Sequence, residues 1–204
     1  FFGSKWSTLY VNNNGNVTFN APQWNFTPYA LTSNIGTPII APFFADVDTR
    51  DVNSQLVTYA YGTGIVDGHN AFGVNWINVG YFNSHADKLN SFQLVLIDRS
   101  DRNPGDFDIE FNYGRILWET GDASGGVNGF GGSSARAGFS NGTGLPGTFY
   151  EVEGSGVNGA FLDSNPTGLV HRNFNTPVRG RLLFKVVNGM PELGGTPIYI
   201  GPAC

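Results

Sequence analysis

The chain has 204 residues, of which only 13 % are charged, and its formal net charge is −5. Its 11 Lys and Arg residues form no dense run, which excludes a phosphate-binding nucleic-acid surface and an electrostatic grip on anionic lipid. No apolar run approaches the ~20 residues of a membrane-spanning helix.

A chain of this length suits one domain with a core that needs no staples. Its 29 glycines and 17 phenylalanines favour strands and tight turns over helices. It opens on Phe1 with no signal-peptide pattern, which reads as a piece of something longer.

The first patterned stretch is LYVNNNGNVTFN, Leu9–Asn20. Apolar and polar residues alternate on both sides of an Asn-Asn-Asn-Gly run, as in half-buried strands. Asn14-Gly15 is a strong hairpin signal and predicts a type I′ turn. Tyr29–Ser33 reads as one short helical turn. Thr37–Phe44 is extended, because Pro38 and Pro42 forbid helix. Strands then follow at Gln55–Tyr61, Ala71–Phe82, Leu89–Ile97, Asp106–Tyr113 and Arg115–Glu119. Asp67–Asn70 and Arg99–Gly105 act as the turns between them. The glycine-rich 120–134 stretch lacks both a phosphate-loop pattern and a βαβ setting, and reads as a mobile loop. Further strands are read at Ala135–Ser140, Gly147–Val152 and Arg179–Val187, with a second short helical turn at Gly159–Asp163.

The spacing predicts an all-β fold: an antiparallel β-sandwich, jelly-roll-like, with long Gly-rich loops and little helix. One domain spans 1–187. Residues 188–204, rich in Gly and Pro, read as an extended tail or linker. Cys204 is the sole cysteine and has no partner within the chain.

Three clusters are candidates for chemistry. On a strand, Asp106, Asp108 and Glu110 share one face, and Phe107, Ile109 and Phe111 the other. Alternating acids of this kind serve some glycosidases, one attacking and one donating a proton. The structural alternative is an acidic, solvent-facing strand paired with Arg99, Arg102 or Arg115. Asp46, Asp48 and Asp51 in ADVDTRD are candidate oxygen ligands for calcium, with Asp122 a more distant one. The alternative there is a turn in which Asp caps the backbone and pairs with Arg50. Asn16, Asn25 and Asn141 lie in N-x-[ST] sequons and are candidate glycan acceptors. His69, His85 and His171 show no zinc-type spacing. No nucleophile elbow occurs. Of Trp6, Trp24, Trp76 and Trp118, most are expected in the core; one in a loop would stack on a sugar ring.

Several stretches together resemble the nidogen-like (NIDO) extracellular domain family. They are FFGSKWSTLYVNNNGNVTFN, IIAPFFADVDTR, FQLVLIDR, FNYGRILWETGDASGG and ARAGFSNGTG, in the family's order across about residues 1–187. Their phrasing looks most like bacterial secreted or surface-sorted members. The resemblance implies a non-catalytic, extracellular, β-rich module for adhesion or matrix assembly. Its implied partners are a matrix or surface protein, or other copies of itself through strand addition by Phe1–Trp6 or Met190–Cys204. It supplies no catalytic residue and no cofactor beyond the calcium candidate. The competing expectations are a carbohydrate-binding or carbohydrate-cleaving jelly roll and a calcium-dependent adhesin.

Overall fold

The computed structural model describes residues 1–192. In chain order its strands are β1 (Tyr10–Asn12), β2 (Asn16–Thr18), β3 (Ile39–Phe44), β4 (Val47–Asp48), β5 (Thr58–Val66), β6 (His69–Tyr81), β7 (His85–Asp98), β8 (Phe107–Arg115), β9 (Arg136–Ser140), β10 (Phe149–Glu151), β11 (Asn173–Phe174), β12 (Arg181–Val187) and β13 (Met190–Pro191). They form two sheets. The first has the order β1-β2-β3-β9-β10. The second runs β11-β12-β8-β7-β6, with β4 and β5 along the outer edge of β6 and β13 beside β12. Every pairing is antiparallel except β11–β12. The expected sandwich is the fold observed.

Period-two patterning explains the core. Ile109 and Phe111 on β8 point inward with Val74 and Trp76 on β6, Phe92 and Leu94 on β7, and Leu182 and Phe184 on β12. Val17, Ile40 and Phe139 of the first sheet meet them. Trp76 stacks on Phe92 at 5.2 Å, and Phe43 meets the ring of Trp118 edge-on at 5.7 Å. Burial of each such side chain stabilises the fold by roughly 1.5–3 kcal/mol. The sequence IIAPFF of β3 does not alternate because both of its faces are covered. Ile40 and Phe43 face the main core. Ile39, Ala41 and Phe44 pack under Leu31, Tyr29 and Ile35 of the preceding loop.

Turn chemistry departs from expectation in an instructive way. The first hairpin forms where expected, but Asn12 pairs with Asn16, so its loop is Asn13-Asn14-Gly15. Only Gly15 has positive φ, at 75°. This is a three-residue turn rather than type I′. The I′ geometry occurs instead at Asp67-Gly68 and at Asn188-Gly189, where both residues have positive φ. The second of these carries the fold past Val187. The chain turns back there, and Glu192 N–H donates to Lys185 O at 2.7 Å. Residues 193–204, including Cys204, lie outside the described residues.

Other expectations are corrected. Residues 29–33 and 159–163 are not helical; the 3₁₀ turns are Asp122–Ser124 and Leu169–His171. Arg115–Glu119 is not a separate strand. It leaves β8 as an extended segment, buried at Ile116, Trp118 and Glu119, whose backbone bonds to side chains. Asn90 Oδ1 accepts from the N–H groups of Leu117 and Trp118, and Asp163 Oδ1 accepts from Ile116. The 120–134 stretch is not open: Glu119 and Thr120 N–H donate to Gly129 O, and Ser133 N–H donates to Ser124 O. Phe1 is buried, and Gly3 N–H donates to Gly189 O at 3.2 Å. The N-terminal segment and β13 are therefore engaged within their own chain.

Gly15 tests the turn. A Cβ at this position would lie 1.7 Å from Phe43 O, and its φ already disfavours an L side chain. Gly15→Ala is expected to destabilise the protein by at least about 2 kcal/mol, read as a lower urea midpoint with an unchanged slope.

Candidate functional site

The first acid cluster is fully paired. Asp108 is buried on the outer face of β8. Arg99 Nη1 lies 3.0 Å from its Oδ2, and Arg102 Nη2 lies 2.7 Å from its Oδ1. Glu110 Oε1 accepts from Asn112 Nδ2 at 2.7 Å and lies 3.4 Å from Arg181 Nε. Asp106 Oδ1 accepts the Asn188 N–H at 2.8 Å. Arg115 plays no part. Its guanidinium donates to Leu89 O and Asn78 Oδ1. The carboxylates are thus buried under guanidinium groups, where the sequence suggested a solvent-facing strand. A glycosidase pair must face substrate across a cleft.

The second cluster begins where the chain passes from one sheet to the other: Asp46 lies between β3 and β4, Asp48 ends β4, and Asp51 follows it. Asp48 is clamped. Both of its oxygens accept from Arg50 Nε, at 2.9 and 3.0 Å, and Oδ2 also accepts Ser84 N–H at 2.9 Å. The Arg50 hydrogen bond leads in lowering its pKa to about 2. Asp51 stands apart in an Asx turn, accepting from the backbone and side chain of Asn53. Asp46 differs again. It is buried, and its Oδ2 has no hydrogen-bond partner. Burial first, then the charges of Asp48 and Asp122, push its pKa up to about 7. Gly121 permits the loop to close over it, since a Cβ there would lie 2.6 Å from Asp46 Oδ2. Asp122 pairs with His85 Nε2 at 2.9 Å. Among the described residues no group of three or more His, Cys, Asp or Glu side chains is arranged to hold a metal ion.

The sequons differ in access. Asn16 is buried, and its Nδ2 donates to Asn14 O, so a glycan has no room there. Asn25 is exposed and Asn141 half-buried. Trp76 and Trp118 are core residues, Trp6 is partly open, and Trp24 is 83 % exposed.

A surface feature without a sequence signal lies at the open end of the sandwich. Between the N-terminal segment with β1 and the β5–β7 part of sheet two lies a groove of about 1180 Å³. Trp6, Leu9, Phe19, Tyr59, Phe72 and Phe107 help to line it, and its charged side chains are Lys5 and Asp98. The N-terminal segment from Phe1 to Leu9 forms one wall and β5, β6 and β7 contribute the other, a meeting of distant stretches that strand spacing does not reveal.

The family profile described as "Nidogen-like domain" matches residues 7–65 and 54–188. The chain belongs to the nidogen-like domain family. It is 34 % identical over 207 aligned residues to alpha-tectorin of Mus musculus, covering 91 % of this chain and 9 % of that protein. It is 32 % identical to nidogen of Drosophila melanogaster, covering 83 % of this chain and 13 % of that protein. The nidogen-like chain thus spans a small fraction of the length of these relatives. The likeness to bacterial secreted members finds no support among them. No solved structure matches the chain significantly. The nidogen-like assignment places it outside the cell or at the cell surface.

The shift at Asp46 has a measurable sign. Its folded pKa lies above the unfolded value, so its carboxyl weakens the fold as pH rises from about 4 through about 7. Asp48 acts oppositely: its contribution is present above about pH 4 and fades as pH falls towards 2. Asp46→Asn is expected to stabilise the protein by about 2 kcal/mol near pH 8, raising the melting temperature by several degrees. Little change is expected near pH 4.

Proposed function

We propose that this nidogen-like domain is a non-catalytic extracellular module that joins a matrix or a cell surface through protein–protein contacts. One observation carries the reading. The carboxylates with the best spacing for chemistry, Asp106, Asp108 and Glu110, are each engaged by the domain's own donors, while an apolar groove stands open elsewhere. Groups already neutralised by fixed partners make scaffold; surface left uncovered meets a partner. Membership of the nidogen-like family supports the same reading.

A second reading has one specific observation behind it. Trp24 projects into solvent with Phe26, also exposed, two residues on. Such a pair offers ring faces to a sugar, so a carbohydrate-binding role is the alternative. Calcium dependence has less support, because Arg50 occupies both oxygens of Asp48.

Purified protein is expected to bind a decellularised matrix preparation in a solid-phase assay and to release no reducing sugar from β-glucans. Glu110→Gln should leave binding unchanged, and so should chelation of calcium. Hydrolysis abolished by Glu110→Gln would overturn the reading. Loss of binding in Trp24→Ala, together with selective capture on a glycan array, would favour the carbohydrate alternative.

A further inference from the structure

A sheet edge exposes unpaired N–H and C=O groups, and folds protect such edges by shortness, charge, proline or cover. Most edges here are short. β1 and β10 have three residues each, and β11 and β13 have two. β5 is the exception. It has nine residues and pairs only with β6 among the described residues. From Leu56 to Val66 it carries no charged residue and no proline, on a chain whose net charge is −5.

The strand is also furnished for contact. Tyr59 is 66 % exposed and Tyr61 65 %. Tyr59 pairs in register with Val74, and Tyr61 with Phe72. Both therefore lie on the inward side of the sheet, at the mouth of the groove that Tyr59 and Phe72 line. The ladder to β6 is continuous from Thr58 to Gly62 and shifts register only beyond Gly62. The regular part of the edge is centred on Ala60.

We propose that β5 is a homotypic docking edge: it pairs antiparallel with β5 of a second copy, and the second sheet runs on across a two-fold axis at Ala60. This rests on the protein–protein reading above and names the partner. The strip's own symmetry names that partner: Tyr59-Ala60-Tyr61 is self-complementary about Ala60 in an antiparallel pair, and with no charge on the strip nothing like-charged is brought together. Tyr59 then faces Tyr61 of the second copy, and Tyr61 faces its Tyr59. Aromatic cross-strand pairs of this kind stabilise antiparallel sheets. Thr58 faces Gly62 of the second copy, and Ala60 faces its own counterpart.

Sedimentation over a concentration series and directed cross-linking test the proposal, both on the full chain carrying Cys204→Ser. The parent protein is expected to dimerise reversibly. Ala60→Lys puts like charges together at the axis and should weaken the dimer at least about tenfold. Val52→Lys, an exposed apolar position outside the strand, should not. Opposed residues of an antiparallel pair have Cα atoms about 4.5–5.5 Å apart, within disulfide range. Ala60→Cys should therefore give a covalent dimer on mild oxidation, and Thr58→Cys should not. A parent that stays monomeric at high concentration overturns the proposal, as does a dimer indifferent to Ala60→Lys. Matrix binding that survives in a strictly monomeric protein would end the homotypic edge alone. Loss of matrix binding in a protein that still dimerises would instead count against the adhesive reading.

Discussion

The structure depends on how the chain crosses between its two sheets. β3 lies in one sheet and β4 in the other, and the residues between them are buried. Buried backbone groups need partners, and a crossover has no ladder to supply them. The first hairpin's turn provides them. Asn14 O accepts Ala45 N–H and Gly15 O accepts Phe43 N–H, both at 3.2 Å. Asn13 Nδ2 donates to Val47 O at 2.7 Å, and Asn13 O accepts Trp76 Nε1–H at 3.0 Å. One turn thereby ties the edge of the first sheet to the crossover and to the central tryptophan of the second. The run of asparagines is an internal connector, and Asn12, held to Asn16 and Thr18, extends it.

The same economy of partners governs the acids. Asp108 holds the β7–β8 turn through Arg99 and Arg102. Glu119, buried beneath the surface, accepts the N–H groups of Gly159 and Phe161 and so fixes a loop otherwise short of regular bonding. Burial raises the pKa of Glu119, and those backbone donors oppose the shift. Asp46 is the one carboxyl at the crossover with an unsatisfied oxygen, and its environment favours the protonated form. Ionisable groups here fasten loops to sheets, which leaves contact with other molecules to apolar contour and open backbone.

Much of this was legible in the sequence. Alternation in DFDIEF gave the right inward face for β8, and the double prolines around β3 ruled out helix correctly. The paired arginines Arg99 and Arg102 were identifiable from proximity in the chain, whereas Arg181 was not, since only sheet pairing brings it to Glu110. Asn14-Gly15 and Asn188-Gly189 show where local rules stop. The same dipeptide makes a three-residue turn in one place and an I′ turn in the other. The second pair has the look of a tail's beginning because Gly and Pro are so frequent between residues 189 and 204, although it closes a β-hairpin. Arg115–Glu119 resembles a strand because an extended segment bonded by Asn90 and Asp163 has the same apolar pattern. The groove had no signature, because it arises where the N-terminal segment meets strands far from it in the chain.

Gly3 and Gly189 sit side by side, joined by a backbone hydrogen bond. Tension applied to the two ends of the described chain would therefore meet at one corner and load that contact together with the short β12–β13 ladder. The first event under such a load is peeling of the terminal segments, a low-force process that lengthens the tether while the aromatic packing between the sheets stays intact.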